Sequence, residues 1–251
     1  SPYCKTIVKS VYKKKKKSDN SVKINSLEVL NSFVGKYGSE LTDTLNDILN
    51  STLAIISVEN LQVADWALDL LTKLSVYKLN STSLHETIQK VTSLTESSFL
   101  IDKTTKKILT FFSTLAKNNN SLDYEDYISF LQGKVNVNCT VPARCIAEIL
   151  VHYPDLNKKF TDKYLAGLEK DDDTIIVSSL ILGEIGRLND LSGNKELTKT
   201  LDGLFNHSNS DVKIAASHCL GHICIGNLKY FLPIVIDFIN NEPKHKFLLL
   251  I

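Results

Sequence analysis

Apolar residues recur three and four positions apart along most of the chain, whereas the strict alternation typical of β-strands is scarce. Helix-breaking residues are few, with 10 glycines and 5 prolines in 251 residues, which leaves room for long helical stretches. The pattern therefore predicts an all-α protein.

Within this pattern, a pair of apolar residues separated by two positions occurs six times. The copies are Leu30/Phe33, Leu71/Leu74, Phe112/Leu115, Ile146/Ile149, Leu182/Ile185 and Leu220/Ile223. They follow one another at nearly regular intervals, and most are soon followed by Gly, Asn or Pro. A period of about 40 residues is typical of an α-solenoid of HEAT-type helical hairpin repeats, in which each unit buries its apolar face against its neighbours. We therefore expect 1–251 to form a single solenoid segment of about six repeats, cut from a longer superhelix.

The last two copies are the most alike, since DTIIVSSLILGEI (173–185) aligns without gaps with DVKIAASHCLGHI (211–223). On a helix, one broad face of the second segment is apolar; it carries Val212, Ala215, Ala216, Cys219, Leu220 and Ile223. Gly183 and Gly221 occupy matching positions, although glycine inside a helix costs about 0.5–1 kcal/mol relative to alanine. Both are therefore predicted to mark a close approach of two helix backbones.

The stretch HCLGHIC (218–224) raises the question of a metal site. His218 and His222 are four residues apart, so on a helix they share a face, as two zinc ligands would. However, this face lies away from Cys219, the pattern offers no further ligand, and neither CxxC nor HExxH occurs in the chain. We therefore expect surface histidines and no metal, and a metal-dependent enzyme remains only an alternative.

Charge and composition narrow the function classes. The 29 basic and 28 acidic residues nearly cancel, and no apolar run is long enough to span a membrane, so neither a nucleic acid nor a membrane is an expected partner. The basic run Lys13–Lys17 is expected to be a solvated loop between helices. Five cysteines, an odd number sparsely spread, fit a reducing compartment. No catalytic motif is present, so we expect no enzyme, no cofactor and no small-molecule substrate.

Polar residues on the predicted second helices of the repeats form the candidate partner surface. They recur with helical spacing and would stack into one groove if the second helices line the concave face of a solenoid. We expect them to be exposed and to bind a protein partner, although polar residues are also what any solvated face carries. The candidates are Asp65, Asp69, Lys73, Arg144, Glu148, His152, Glu184, Arg187, His218 and His222.

Three segments resemble one known family. They are LEVLNSFVGKYGSEL (27–41), LGEIGRLNDLSG (182–193) and AASHCLGHICIGNLKYFLPIVIDFINNEPKHKFLLL (215–250). In the C-terminal third of the chain, Leu-Gly-Glu-Ile-Gly, Asp-Leu-Ser-Gly and Gly-Asn-Leu-x-x-x-Leu-Pro follow in the order typical of the cullin-associated, neddylation-dissociated family of HEAT-repeat proteins. By this resemblance the chain corresponds to a middle-to-late block of repeats.

The resemblance implies a scaffold function without catalytic residues. Proteins of this family wrap an unneddylated cullin with its RING subunit, block neddylation and promote exchange of substrate receptors, which implies a protein partner and a cytoplasmic and nuclear location. Another HEAT-repeat scaffold, such as a nuclear transport receptor or a phosphatase scaffold, is the alternative.

Overall fold

The computed structural model describes residues 19–241, and all regular structure in this range is helical apart from one isolated bridge between Asn136 and Cys139. The predicted all-α class is confirmed. The run Lys13–Lys17 lies outside the described residues. No helix between residues 19 and 241 combines the length and the apolarity needed to cross a membrane.

The chain divides into two compact units, 1–127 and 128–251. The helices of the first unit are α1 (Asn20–Tyr37), α2 (Leu45–Leu53), α3 (Leu61–Leu74), α4 (Ser81–Leu94) and α5 (Asp102–Asn118), with a 3-10 turn at Gly38–Glu40. Helix α3 packs between α1 and α5, while the shorter α2 packs on α3 and α4. Helices at alternate positions along the chain are thus neighbours in space, which is the packing of stacked helical hairpins.

Helix α6 (Tyr124–Gln132) contains the division between the units. The second unit contains α7 (Val141–Leu150), α8 (Pro154–Gly167), α9 (Asp172–Leu188), α10 (Leu197–Phe205), α11 (Ser210–Gly226) and α12 (Leu228–Asn241). Helix α9 packs between α7 and α11, with α8 against α9 and α10 against α11. The predicted HEAT-like stacking is therefore present in each unit, while one array of about six repeats over 1–251 stays a prediction.

The six apolar pairs found in the sequence lie on α1, α3, α5, α7, α9 and α11, one pair on each helix. Eleven of the twelve side chains are buried, and only Phe33 is partly exposed. The apolar face predicted for α11 is also confirmed, because all six of its residues are fully buried. These alternate helices supply much of the core, at about 1.5–3 kcal/mol for each fully buried large aliphatic side chain.

The two matched glycines differ in their surroundings. A Cβ atom added to Gly183 on α9 would lie 2.9 Å from Cys219 Cα on α11, so the predicted close approach of backbones is confirmed there. A Cβ atom on Gly221 would meet nothing within 4 Å, and this glycine is exposed. The same prediction is therefore wrong for Gly221.

Candidate functional site

In the first unit, the candidate residues lie on α3, but Asp65 is not on an exposed ridge. Asp65 is only 7% exposed, because α5 of the next hairpin covers it. Lys107 Nζ donates to Asp65 Oδ2 at 2.8 Å and to Asp69 Oδ2 at 2.6 Å. Thr104 Oγ1 donates to Asp65 Oδ1 at 3.2 Å, and Lys103 Nζ lies 3.2 Å from Oδ2. The predicted exposure of Asp65 is wrong, and its carboxylate joins two repeats.

The charges around Asp65 set its ionisation. Burial acts to raise the pKa of Asp65, but the hydrogen bonds and positive charges of Lys107 and Lys103 outweigh it and hold the pKa below its usual value. Lys73, the third candidate on α3, is exposed and donates from Nζ to the Asn31 carbonyl oxygen of α1 at 3.1 Å. Of the three candidates on α3, Lys73 and the partly exposed Asp69 can reach a partner.

In the second unit, the candidates come from three consecutive alternate helices, α7, α9 and α11. Glu184 is completely buried, so its predicted exposure is wrong. Arg187 Nε donates to Glu184 Oε2 at 2.8 Å, and Arg187 Nη2 lies 3.7 Å from Glu148 Oε1 on α7. His152 follows α7 instead of extending its ridge, because the helix ends at Leu150.

The two histidines of HCLGHIC also face this cluster. His222 Nδ1 lies 3.0 Å from Glu184 Oε1, and His218 Nε2 lies 4.0 Å from the same oxygen. The two imidazole rings stack at a centroid distance of 4.0 Å with an interplanar angle of 25°. Their side chains are 24% and 29% exposed, so the predicted surface histidines are only partly exposed, and their Nδ1 atoms are buried. We call Glu148, Glu184, Arg187, His218 and His222 the Glu184 cluster.

The protonation states in the Glu184 cluster follow from burial and from these neighbours. Burial lowers the pKa of His218 to about 4, with help from His222 and Arg144 and against the charge of Glu184. At pH 7 the His218 ring is therefore neutral. Burial acts to raise the pKa of Glu184, but His222 and Arg187 outweigh it, so the pKa lies below its usual value and the carboxyl is ionised.

Glu184 also supplies a third potential metal ligand, so the expectation that the two histidines lack a further ligand is wrong. Ligand atoms of Glu184, His218 and His222 all lie within 4.8 Å of one another. Glu184 belongs to the preceding repeat, and its separation in sequence from each histidine is close to the repeat period. That separation is the signal that could have revealed the third residue.

Known proteins resemble this chain over most of its length. No family model matches the chain. Cullin-associated NEDD8-dissociated protein 1 of Drosophila melanogaster is 29% identical over 94% of the chain, and the proteins of the same name in Dictyostelium discoideum and Arabidopsis thaliana are 28% and 27% identical over the same share. The predicted resemblance is confirmed. The chain spans about a fifth of the length of these relatives, 20–21%.

The similarity extends well beyond the C-terminal third, where the sequence motifs are most evident. It includes the first unit, whose alternate helices stack as those of the second unit do. The chain is thus similar to the cullin-associated proteins across both units, and the likeness is not confined to one motif.

Proposed function

We propose that this chain is a non-catalytic HEAT-repeat segment of a scaffold that binds an unneddylated cullin together with its RING subunit, in the cytoplasm and nucleus. In the whole scaffold, this binding would block neddylation and promote exchange of substrate receptors. The observation that carries the proposal is the similarity to cullin-associated NEDD8-dissociated protein 1, at 27–29% identity over 94% of the chain. The stacked hairpins support it, because such stacks offer extended surfaces to protein partners.

Within each unit, the partner surface of this proposal consists of the candidate side chains that remain accessible. Lys73 is exposed, and Asp69, Arg144, Glu148, His152, Arg187, His218 and His222 are partly exposed. Asp65 and Glu184 hold helices together and are excluded from direct contact by their burial. A partner would therefore contact the accessible charged side chains. The two buried carboxylates would hold the helices that carry these side chains in place.

The segment alone is expected to bind cullin weakly. Linking two binding sites typically raises avidity 10²- to 10⁴-fold, and a chain that covers about a fifth of its relatives lacks most of such linked contacts. We therefore expect a Kd of about 1 μM or weaker. At nanomolar concentration the segment should leave neddylation unblocked.

The test is to immobilise the purified chain and titrate an unneddylated cullin–RING complex. Lys73→Glu should weaken binding, whereas Lys90→Glu should not, because Lys90 is also exposed but lies on α4, outside the candidate surface. Preferential capture of a nuclear transport cargo or of a phosphatase catalytic subunit would contradict the cullin proposal. Strong inhibition of a reconstituted neddylation reaction at nanomolar concentration would contradict the expected weak binding.

A further inference from the structure

The Glu184 cluster combines ligand types that favour transition metals. Glu184 projects from α9, while His218 and His222 project from one face of α11, four residues apart. Their ligand atoms lie within 4.8 Å of one another. Two imidazoles and one carboxylate are the ligand set of a zinc site that keeps a further coordination position open.

Several of these atoms have no hydrogen-bond partner although they are buried. They include Glu184 Oε1 and the Nδ1 atoms of His218 and His222. His222 Nδ1 and Glu184 Oε1 are only 3.0 Å apart, but they lack the alignment of a hydrogen bond. An unsatisfied polar atom in a protein interior costs about 1–3 kcal/mol, and more when it is charged. Glu184 is 0% exposed, so Oε1 has neither water nor a hydrogen-bond donor to stabilise it, whereas Oε2 accepts from Arg187.

A metal ion bound to Glu184 Oε1, His222 Nδ1 and His218 Nε2 would satisfy the first two of these buried atoms. We propose that Glu184, His218 and His222 bind one divalent transition-metal ion, with zinc as the preferred ion. Tetrahedral zinc with bonds of about 2.0–2.1 Å places its ligand atoms about 3.3 Å apart. The distance from His222 Nδ1 to Glu184 Oε1 is 3.0 Å, and that from His218 Nε2 is 4.0 Å. All three ligand atoms lie within 4.8 Å of one another, so binding requires changes in their separations of at most about 1.5 Å.

The surroundings of the three ligands suit this role. Arg187 Nε holds Glu184 Oε2 at 2.8 Å and leaves Oε1 for the ion, as outer-shell partners do for metal-binding carboxylates. Both histidine side chains are partly exposed, at 24% and 29%, so solvent lies beside the cluster.

Neighbouring charges limit the affinity. Arg144 and Arg187 are positive and oppose an incoming cation, whereas Glu148 and Glu184 attract it. The four charges cancel before the ion binds, so its attraction rests on coordination bonds and not on a net negative field. This charge balance, together with the imidazole ligands, favours zinc, copper or nickel over magnesium and calcium, which prefer sites made of oxygen atoms alone.

The experiment uses the whole chain, stripped with a chelator and titrated with Co²⁺ and then with Zn²⁺. We expect one Co²⁺ per chain with the visible absorption of a tetrahedral ion, displaced by Zn²⁺ but not by excess Mg²⁺. His222→Ala and His218→Ala should each weaken binding by more than about tenfold. His85→Ala is the matched control, because His85 is an exposed histidine on α4 outside the cluster, and it should bind like the unchanged chain.

Folding is monitored in parallel by circular dichroism, because a change in the cluster could also alter helix packing. Glu184→Gln keeps the side-chain shape and should abolish the tetrahedral signal while the helical content is retained. Unchanged stoichiometry and affinity in the double variant H218A/H222A would place the bound ion elsewhere and overturn the proposal. Absence of tetrahedral Co²⁺ absorption in the unchanged chain would overturn it as well.

Discussion

The contact between α9 and α11 at Gly183 allows a sharp test of how the repeats pack. In Gly183→Ala, the new Cβ atom would lie 2.9 Å from Cys219 Cα, 3.4 Å from the His218 carbonyl oxygen and 3.5 Å from Cys219 N. These are backbone atoms, which cannot swing aside as the end of a flexible side chain can. The two helices must therefore separate locally to accommodate one methyl group.

Two opposing effects determine the size of the change. Overpacking in a close-packed interior costs about 1–3 kcal/mol. Alanine is a better helix former than glycine and stabilises a helix interior by about 0.5–1 kcal/mol relative to glycine. The net expectation is a loss of about 0–2.5 kcal/mol in the free energy of unfolding. Gly221→Ala gains the same helix propensity and meets nothing within 4 Å, so it should raise the free energy of unfolding by about 0.5–1 kcal/mol.

The assay is urea-induced unfolding of the whole chain, followed by circular dichroism, for the two variants and the unchanged protein. Gly203→Ala on α10 serves as a second control, because its new Cβ atom would also meet nothing within 4 Å. The expected order of stability is Gly221→Ala and Gly203→Ala above the unchanged chain, and Gly183→Ala below it. If Gly183→Ala stabilised the chain as much as the two controls do, the close contact between α9 and α11 would be refuted.

Two further predictions concern ionisable groups. Asp65→Asn should lower the free energy of unfolding by about 1–3 kcal/mol at pH 7, because Lys107 loses a buried charged partner. The pKa of Asp65 is lowered in the folded state, so its ionised form contributes stability above its ordinary pKa and loses it as the pH falls through the folded value. Urea unfolding at several pH values should thus show the two proteins converging below about pH 4, and a constant gap would contradict this. Burial raises the pKa of Cys145 well above its usual value, so iodoacetamide should modify the partly exposed Cys139 much faster, as site-resolved mass spectrometry would show.

The helical class and the order of the hairpins could be predicted from the sequence because they depend on local periodicity. Apolar spacing indicates which side of a helix is buried, and a period of about 40 residues indicates which helices are equivalent. The apolar face of α11 was predicted in full, since six apolar residues within one helix determine it together. Phe33 on α1 is the exception, since its side chain is partly exposed.

The burial of charged residues could not be predicted in the same way, because it depends on the neighbouring repeat. Helix phase places Asp65 and Glu184 beside polar positions and suggests exposure. In the structure each is covered by the following alternate helix, which brings Lys107 to Asp65 and His222 to Glu184. The contrast between Gly183 and Gly221 has the same origin, since equal positions in two helices need not face equal neighbours.

Nevertheless, the polar contacts between repeats follow a regularity that is visible in the sequence. Asp65 and Lys107 are 42 residues apart, and so are Asn31 and Lys73. His222 follows Glu184 at a similar separation. Stacked hairpins place residues about one period apart next to each other, so a polar residue on a second helix should be compared with those about 40 positions away. The residue about one period before His218 and His222 is Glu184. The two histidines therefore do not stand alone, and the three side chains together form a set of ligands whose metal binding can be measured.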